Sequence, residues 1–232
     1  MRARLPILLS ILVTILPAGA ADDHAFDAAS LEGTHALSGR NPDGSVYQGE
    51  VTVQVKDGLV LLQRKIGESE TLGTGVVVGR TLGVALPDGV AVYGAVPQAG
   101  GWSLVGLWSR EGSGAASEET IFAGNADVTD ARFEAAAFNG TYTARRKMAD
   151  GSQDEERMVI AGEDVVKTLS VGSGERVQKA EGLALGEGLA AITPDGLMVL
   201  NLRGVGEGER ELSGVMVLGD GSVPAVSLVP RD

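Results

Sequence analysis

The chain has 232 residues, 31 acidic against 19 basic side chains for a net charge of −12, no cysteine, and only 4% aromatic residues. A body that acidic repels phosphate backbones and anionic lipid, which disfavours nucleic acid and peripheral membrane partners. Without cysteine there is neither a disulfide framework nor a lipoprotein anchor, so stability must come from the apolar core alone.

Two arginines, Arg2 and Arg4, precede an apolar run from Leu5 to Leu16, and Pro17-Ala18-Gly19-Ala20 follows. A basic start, a short apolar stretch and small residues at Ala18 and Ala20 predict a secretory signal peptide over residues 1–20. A membrane anchor is the rival reading, but Leu5 to Ala21 is only 17 residues, the lower edge of what spans a bilayer. Processing implies an exported protein, periplasmic or extracellular, with no stable membrane insertion afterwards. Residues 21–30 read as a flexible arm.

Beyond the arm, Tyr47, Val51, Val53 and Val55 alternate with Gln48, Glu50, Thr52 and Gln54, the period-2 pattern of a strand with one wet face. Lys56-Asp57-Gly58 then turns the chain into Leu59-Val60-Leu61-Leu62, a hairpin signal. Strand-like runs follow at Thr74–Val78, Leu82–Leu86, Val90–Val96 and Trp102–Ser109. Residues 123–137 read as a linker in which Asp130 to Ala137 carry enough helix formers for a turn or two. Further strand-like runs occupy Arg157–Ile160, Val165–Val171, Gly182–Leu185, Leu189–Thr193, Leu197–Leu202, Glu211–Leu218 and Val223–Leu228.

The two strand-rich stretches repeat one another. Gly33-Thr34-His35 recurs as Gly140-Thr141-Tyr142, Asp43-Gly44-Ser45 as Asp150-Gly151-Ser152, and Pro87-Asp88-Gly89 as Pro194-Asp195-Gly196, always 107 positions on. Near the end Gly106-Leu107-Trp108 is answered by Gly214-Val215-Met216, an offset of 108. The retained residues are mostly turn formers, and turns held at fixed spacing imply equal strand lengths between them. The expected fold is therefore all-β: two tandem antiparallel meander units, barrel-like or sandwich, over residues 31–122 and a diverged 138–232. One larger barrel shared by both copies is the alternative.

Asn41-Pro42-Asp43-Gly44-Ser45-Val46-Tyr47-Gln48-Gly49-Glu50-Val51 resembles the opening signature of a repeat in small exported proteins of Gram-negative bacteria. Gly73-Thr74-Gly75, Val92-Tyr93, Gly106-Leu107-Trp108 and Ser117-Glu118-Glu119-Thr120-Ile121 resemble its middle and closing segments. Members are often labelled fibronectin-binding proteins. The resemblance covers Leu31 to Phe122, implies a binding role with a protein partner, and carries no catalytic residues to transfer. In the second copy Tyr47, Tyr93 and Trp108 become Asp154, Leu200 and Met216.

No catalytic, cofactor-binding or metal-binding set emerges. Histidine occurs only as His24 and His35, too few ligands for a metal centre without cysteine, and His35 matches Tyr142, which suggests a packing role. Ser113 lies in a loop without a nucleophile-elbow context, and the Gly73–Gly79 glycines are followed by strand, not by a phosphate-binding helix. Asn125, Asp127 and Asp130 lack the spacing of a calcium loop. Tyr47, Tyr93, Trp102 and Trp108 are the candidate contacts for a ligand or partner, against the plainer reading that Trp108 is a core anchor. Two functions follow: a non-enzymatic binding or interaction module for an unknown protein, or a carrier holding a small apolar ligand in a β-barrel pocket lined by these rings.

Overall fold

Period-2 alternation commits each strand to one inward and one outward row, and closing such a sheet on itself leaves no unpaired edge. The computed structural model describes residues 26–98, 101–122, 138–148, 150–173, 176–204 and 210–230. In it the chain closes twice, into two eight-stranded antiparallel barrels in tandem. The first barrel is β1 (Gly33–Arg40), β2 (Val46–Lys56), β3 (Leu59–Ile66), β4 (Ser69–Val78), β5 (Thr81–Leu86), β6 (Gly89–Gln98), β7 (Gly101–Arg110) and β8 (Ser117–Phe122). The second is β9 (Gly140–Lys147), β10 (Gln153–Ala161), β11 (Val166–Ser173), β12 (Arg176–Leu185), β13 (Gly188–Thr193), β14 (Gly196–Gly204), β15 (Arg210–Leu218) and β16 (Ala225–Pro230). Each is a simple meander whose last strand pairs with its first. The signal segment and the 123–137 connector, with its expected helical turn, lie outside the described residues.

The duplication is visible strand by strand. β3, β4 and β5 have counterparts in β11, β12 and β13 with identical lengths at an offset of 107. Ala91 opposes Trp108 and Met198 opposes Met216, so β15 stands 108 positions after β7. Leu37 opposes Ile121 and Ala144 opposes Leu228, which returns the last strand to 107. One residue is thus gained in the hairpin between β6 and β7, and one is lost in the next loop.

Turn chemistry sets the register. Lys56 pairs with Leu59 across Asp57 and Gly58, both at positive φ (53° and 80°), the two-residue turn that suits strand twist. Asp43, Asp150 and Asp220 each accept from the backbone N–H and hydroxyl of the serine two residues on, at 2.9 and 2.6 Å, closing three copies of one turn. Those hydrogen bonds, the hydroxyl's first, hold all three carboxyl groups below the usual aspartate range.

Apolar side chains fill both interiors: Leu37, Leu62, Leu82, Leu104 and Ile121 in the first, Ile160, Leu169, Leu189, Leu200 and Leu228 in the second. The outward row of β2 is polar from Gln48 onward, the reverse of a barrel that faces lipid. Among the described residues no helix is long and apolar enough to cross a membrane. From Phe26 onward the expected flexible arm is instead a packed plug. Asp27 caps a 3-10 turn (Ala28–Leu31), and Phe26 and Leu31 are buried in the core cluster of the first barrel, adding apolar area to it. His35 Nε2 lies 2.7 Å from the Leu31 carbonyl oxygen, and the Tyr142 hydroxyl donates to the Phe138 carbonyl at 2.7 Å, so each member of the matched pair engages the carbonyl four residues upstream.

Candidate functional site

The inward row of β3 runs Val60, Leu62, Arg64, and that of β8 runs Ser117, Glu119, Ile121, so a cation and an acid enter an otherwise apolar barrel. Arg64 is 4% exposed and Glu119 1%. An isolated charge there would cost several kcal/mol, and the chain answers with a closed network. The Arg64 guanidinium pairs with Glu119 Oε1, which also accepts from the Tyr47 hydroxyl at 2.6 Å. Glu119 Oε2 accepts from the Tyr93 hydroxyl at 2.6 Å. Trp108 Nε1 donates to the Tyr47 oxygen at 2.8 Å, and its ring lies 5.2 Å from the Arg64 guanidinium carbon. Arg64 Nε is left without a partner.

Glycines make room for both tyrosines. Gly39 stands opposite Tyr47 in the β1–β2 register, and a Cβ there would sit 2.1 Å from the ring. Gly106 stands opposite Tyr93 in the β6–β7 register, and its Cβ would sit 2.2 Å from that ring. Each ring therefore lies flat over a glycine on the next strand and points its hydroxyl at Glu119. Burial and then the neighbouring Glu119 charge push the Tyr93 phenol well above its ordinary value, and Tyr47, half-buried at the rim, moves the same way for the same reasons. Burial alone would lower the Arg64 pKa, but Tyr93, Glu119 and Tyr47 outweigh it and hold the guanidinium above its ordinary value.

Three of the four candidate residues, Tyr47, Tyr93 and Trp108, thus meet at one place. They meet around Glu119 rather than around a pocket, and Arg64 and Glu119 were not among the candidates. Trp102 sits in β7 opposite Pro97, and its side chain is outside the described structure. Strand alternation was the signal that points to Arg64, since Val60, Leu62 and Arg64 share a parity.

The corresponding end of the second barrel uses different chemistry. Arg146, the counterpart of Gly39, reaches Asp154 at 2.6 Å, Asp195 at 2.8 Å and Glu156 at 3.5 Å, with the Met216 sulfur at 3.9 Å. Asp154 and Met216 are the counterparts of Tyr47 and Trp108. A single cation half-buried among three acids closes this mouth where aromatic rings close the other.

Between the barrels runs a groove of about 510 Å3. Pro87 and Pro194, from the equivalent β5–β6 and β13–β14 turns, both line it, so the two barrels point the same way with their mouths on one side. Val90 and Ile192 supply apolar wall, Thr168 and Lys179 polar wall. Glu181, also in the lining, accepts from the Ser109 hydroxyl at 3.1 Å and the Gly112 N–H at 3.2 Å across the junction.

No protein-family model matches the chain, and no curated protein shows significant similarity to it. Several solved structures match. Among them is a protein of unknown function from the DUF3598 family of Nostoc punctiforme PCC 73102, 12% identical, with 87% of this chain and 97% of that one covered at a TM-score of 0.31. At that level the likeness says nothing about what either protein binds.

Proposed function

We propose that the chain is an exported, non-enzymatic binding module that meets its partner at the groove between the barrels rather than inside either one. The observation that carries this is the fate of the aromatic set. The hydroxyls of Tyr47 and Tyr93 and the indole N–H of Trp108 are all engaged by Glu119 or by one another, inside a barrel whose inward rows are filled. A carrier holding its cargo against those three rings would have to break that network first. The groove has the volume usual for small-molecule and short-peptide sites, about 300–1,000 Å3, and lies at a junction of two units, where such sites concentrate. The resemblance of Leu31–Phe122 to a repeat of exported proteins supports a protein partner and the export itself.

Amide shift mapping on the labelled protein, with a fragment library and a set of short peptides as probes, tests the reading. Hits are expected to move Thr168, Lys179, Glu181 and Ile192, and Lys179→Glu should alter their affinities. Hits that instead move Tyr93, Leu104 and Glu119 would reject the groove and restore the barrel carrier.

A further inference from the structure

The surface joining the two barrels is nearly two-fold symmetric. Its apolar cluster contains equivalent residues from both sides: Val76 with Leu183, Val90 with Leu197, Val92 with Val199. β5 meets β14 and β13 meets β6, β4 meets β14 and β12 meets β6, while the equivalent strands β5 and β13 meet each other. On that central contact, residues 107 positions apart face one another. A Cβ on Gly188 would lie 2.3 Å from the Thr81 hydroxyl oxygen, and a Cβ on Gly83 would lie 3.0 Å from that of Ala190. This is the pattern of an isologous dimer interface held within one chain.

Symmetry is broken where a copy would otherwise fit itself. At each central pair one barrel carries the side chain and the other a glycine: Thr81 against Gly188, Ala190 against Gly83. The third asymmetric position is Asn201, whose counterpart is Gly94. The Thr81 hydroxyl donates to Asn201 Oδ1 at 2.7 Å, and Asn201 Nδ2 donates to the Val78 carbonyl at 2.6 Å. Asn201 lies over Gly79, where a Cβ would approach its nitrogen to 2.5 Å; around the equivalent Gly186 the space is open.

We propose that these three asymmetric positions turn a self-complementary pairing surface into a one-way lock, by which each barrel accepts the other barrel of its own chain and rejects a second copy of itself. Pairing of two first barrels would set Thr81 against Thr81 in space that admits no second side chain, and would leave both threonines without Asn201. Pairing of two second barrels would bury Asn201 without its threonine. The lock keeps pairing within the chain and fixes the two mouths on one side, whatever the groove binds.

The test reverses the lock in the full chain. Gly188→Thr alone should lower the melting midpoint by on the order of 5 °C through overpacking and give larger, concentration-dependent species on size exclusion as the apolar faces part. Reversing the two hydrogen-bonded positions while Ala190 and Gly83 stay in place, with Thr81→Gly, Gly188→Thr, Gly94→Asn and Asn201→Gly, should recover both midpoint and monomeric elution. A Cβ on Gly94 would meet only Leu185 and the Val105 carbonyl, both at 3.9 Å, so a side chain can start from that position without a clash. Gly188→Thr behaving as the native chain, or the reversed set faring no better than Gly188→Thr, would overturn the proposal.

Discussion

Glu119→Ala is the sharpest perturbation of the first barrel. It removes the one acceptor shared by Arg64, Tyr47 and Tyr93 and leaves a guanidinium 4% exposed with no counter-charge. Breaking a buried ion pair from one side costs about 3–5 kcal/mol, because the remaining charge stays desolvated and unpaired. For a chain of this size 1 kcal/mol moves the melting midpoint by about 2–4 °C, so the variant should melt on the order of 10 °C lower. Arg64→Met with Glu119→Leu removes both charges together and should fall within about 2 kcal/mol of the native chain, far less than the sum of the single losses. Urea titration followed by near-UV circular dichroism of the native chain, Arg64→Met, Glu119→Leu and the double variant completes this cycle, with the slope checked for two-state behaviour. A Glu119→Ala variant within about 1 kcal/mol of the native protein would refute the closed network, since it would mean that water already reaches Arg64.

The network also fixes an alkaline limit. Tyr93 has a folded-state pKa raised above the ordinary tyrosine value of 10.0, so its contribution is fully present below pH 10.0 and is lost as pH rises from there toward the folded value. Stability should fall there by about 1.4 kcal/mol per pH unit for this residue, and Tyr93→Phe should remove that part of the slope in urea titrations at stepped pH. Acid works on the turns instead: Asp43, Asp150 and Asp220 are depressed, so their stabilisation is present above the ordinary aspartate value of 3.8 and disappears as pH falls through their lower folded values. Because all three are exposed, Asp43→Asn should change stability little at neutral pH and flatten the acid limb slightly, as acid titration will read. Gly39→Ala should displace the Tyr47 ring and Gly106→Ala the Tyr93 ring, each costing about 1–3 kcal/mol, with loss of the Trp108 near-UV signal expected only from the first. Intact mass of the protein recovered from an exporting host should begin at Ala21; a mass that includes Met1 would reject processing after Ala20.

Two meanders were legible in the sequence because their turns are written in residues with few alternatives. Asp57-Gly58 and the Asp-Gly-Ser and Pro-Asp-Gly corners each need special backbone angles or a short polar side chain, and duplication retained the latter two, while Asp57-Gly58 recurs as Asp164-Val165. Closure into barrels was not separable from a sandwich, since the pairing of β1 with β8 is a non-local contact that leaves no mark on local alternation. β8 escaped because its inward row carries Glu119, and an acid in the apolar row reads as a broken pattern. β3 was read only as far as Leu62 for the same reason, Arg64 being next in that row. The site was thus half visible: the aromatic members stand out as rare residues, while the two charges that organise them look like ordinary surface among 50 charged side chains.

The two mouths show how one cross-strand pair decides what a barrel end presents. In the first barrel Gly39 faces Tyr47 across β1 and β2; in the second, Arg146 faces Asp154 across β9 and β10. The changes are coupled sterically. A side chain at position 39 cannot coexist with the Tyr47 ring, whereas loss of that ring at Asp154 frees the space that Arg146 occupies. Gly39→Arg alone should therefore destabilise the first barrel by more than about 2 kcal/mol, and adding Tyr47→Asp should recover part of that loss by supplying both room and a counter-charge. Recovery measured by urea titration would show that the mouths are interchangeable solutions on one scaffold. No recovery would mean that Glu119 and Arg64 demand the tyrosine regardless of space, and that the aromatic mouth is tied to the charges beneath it.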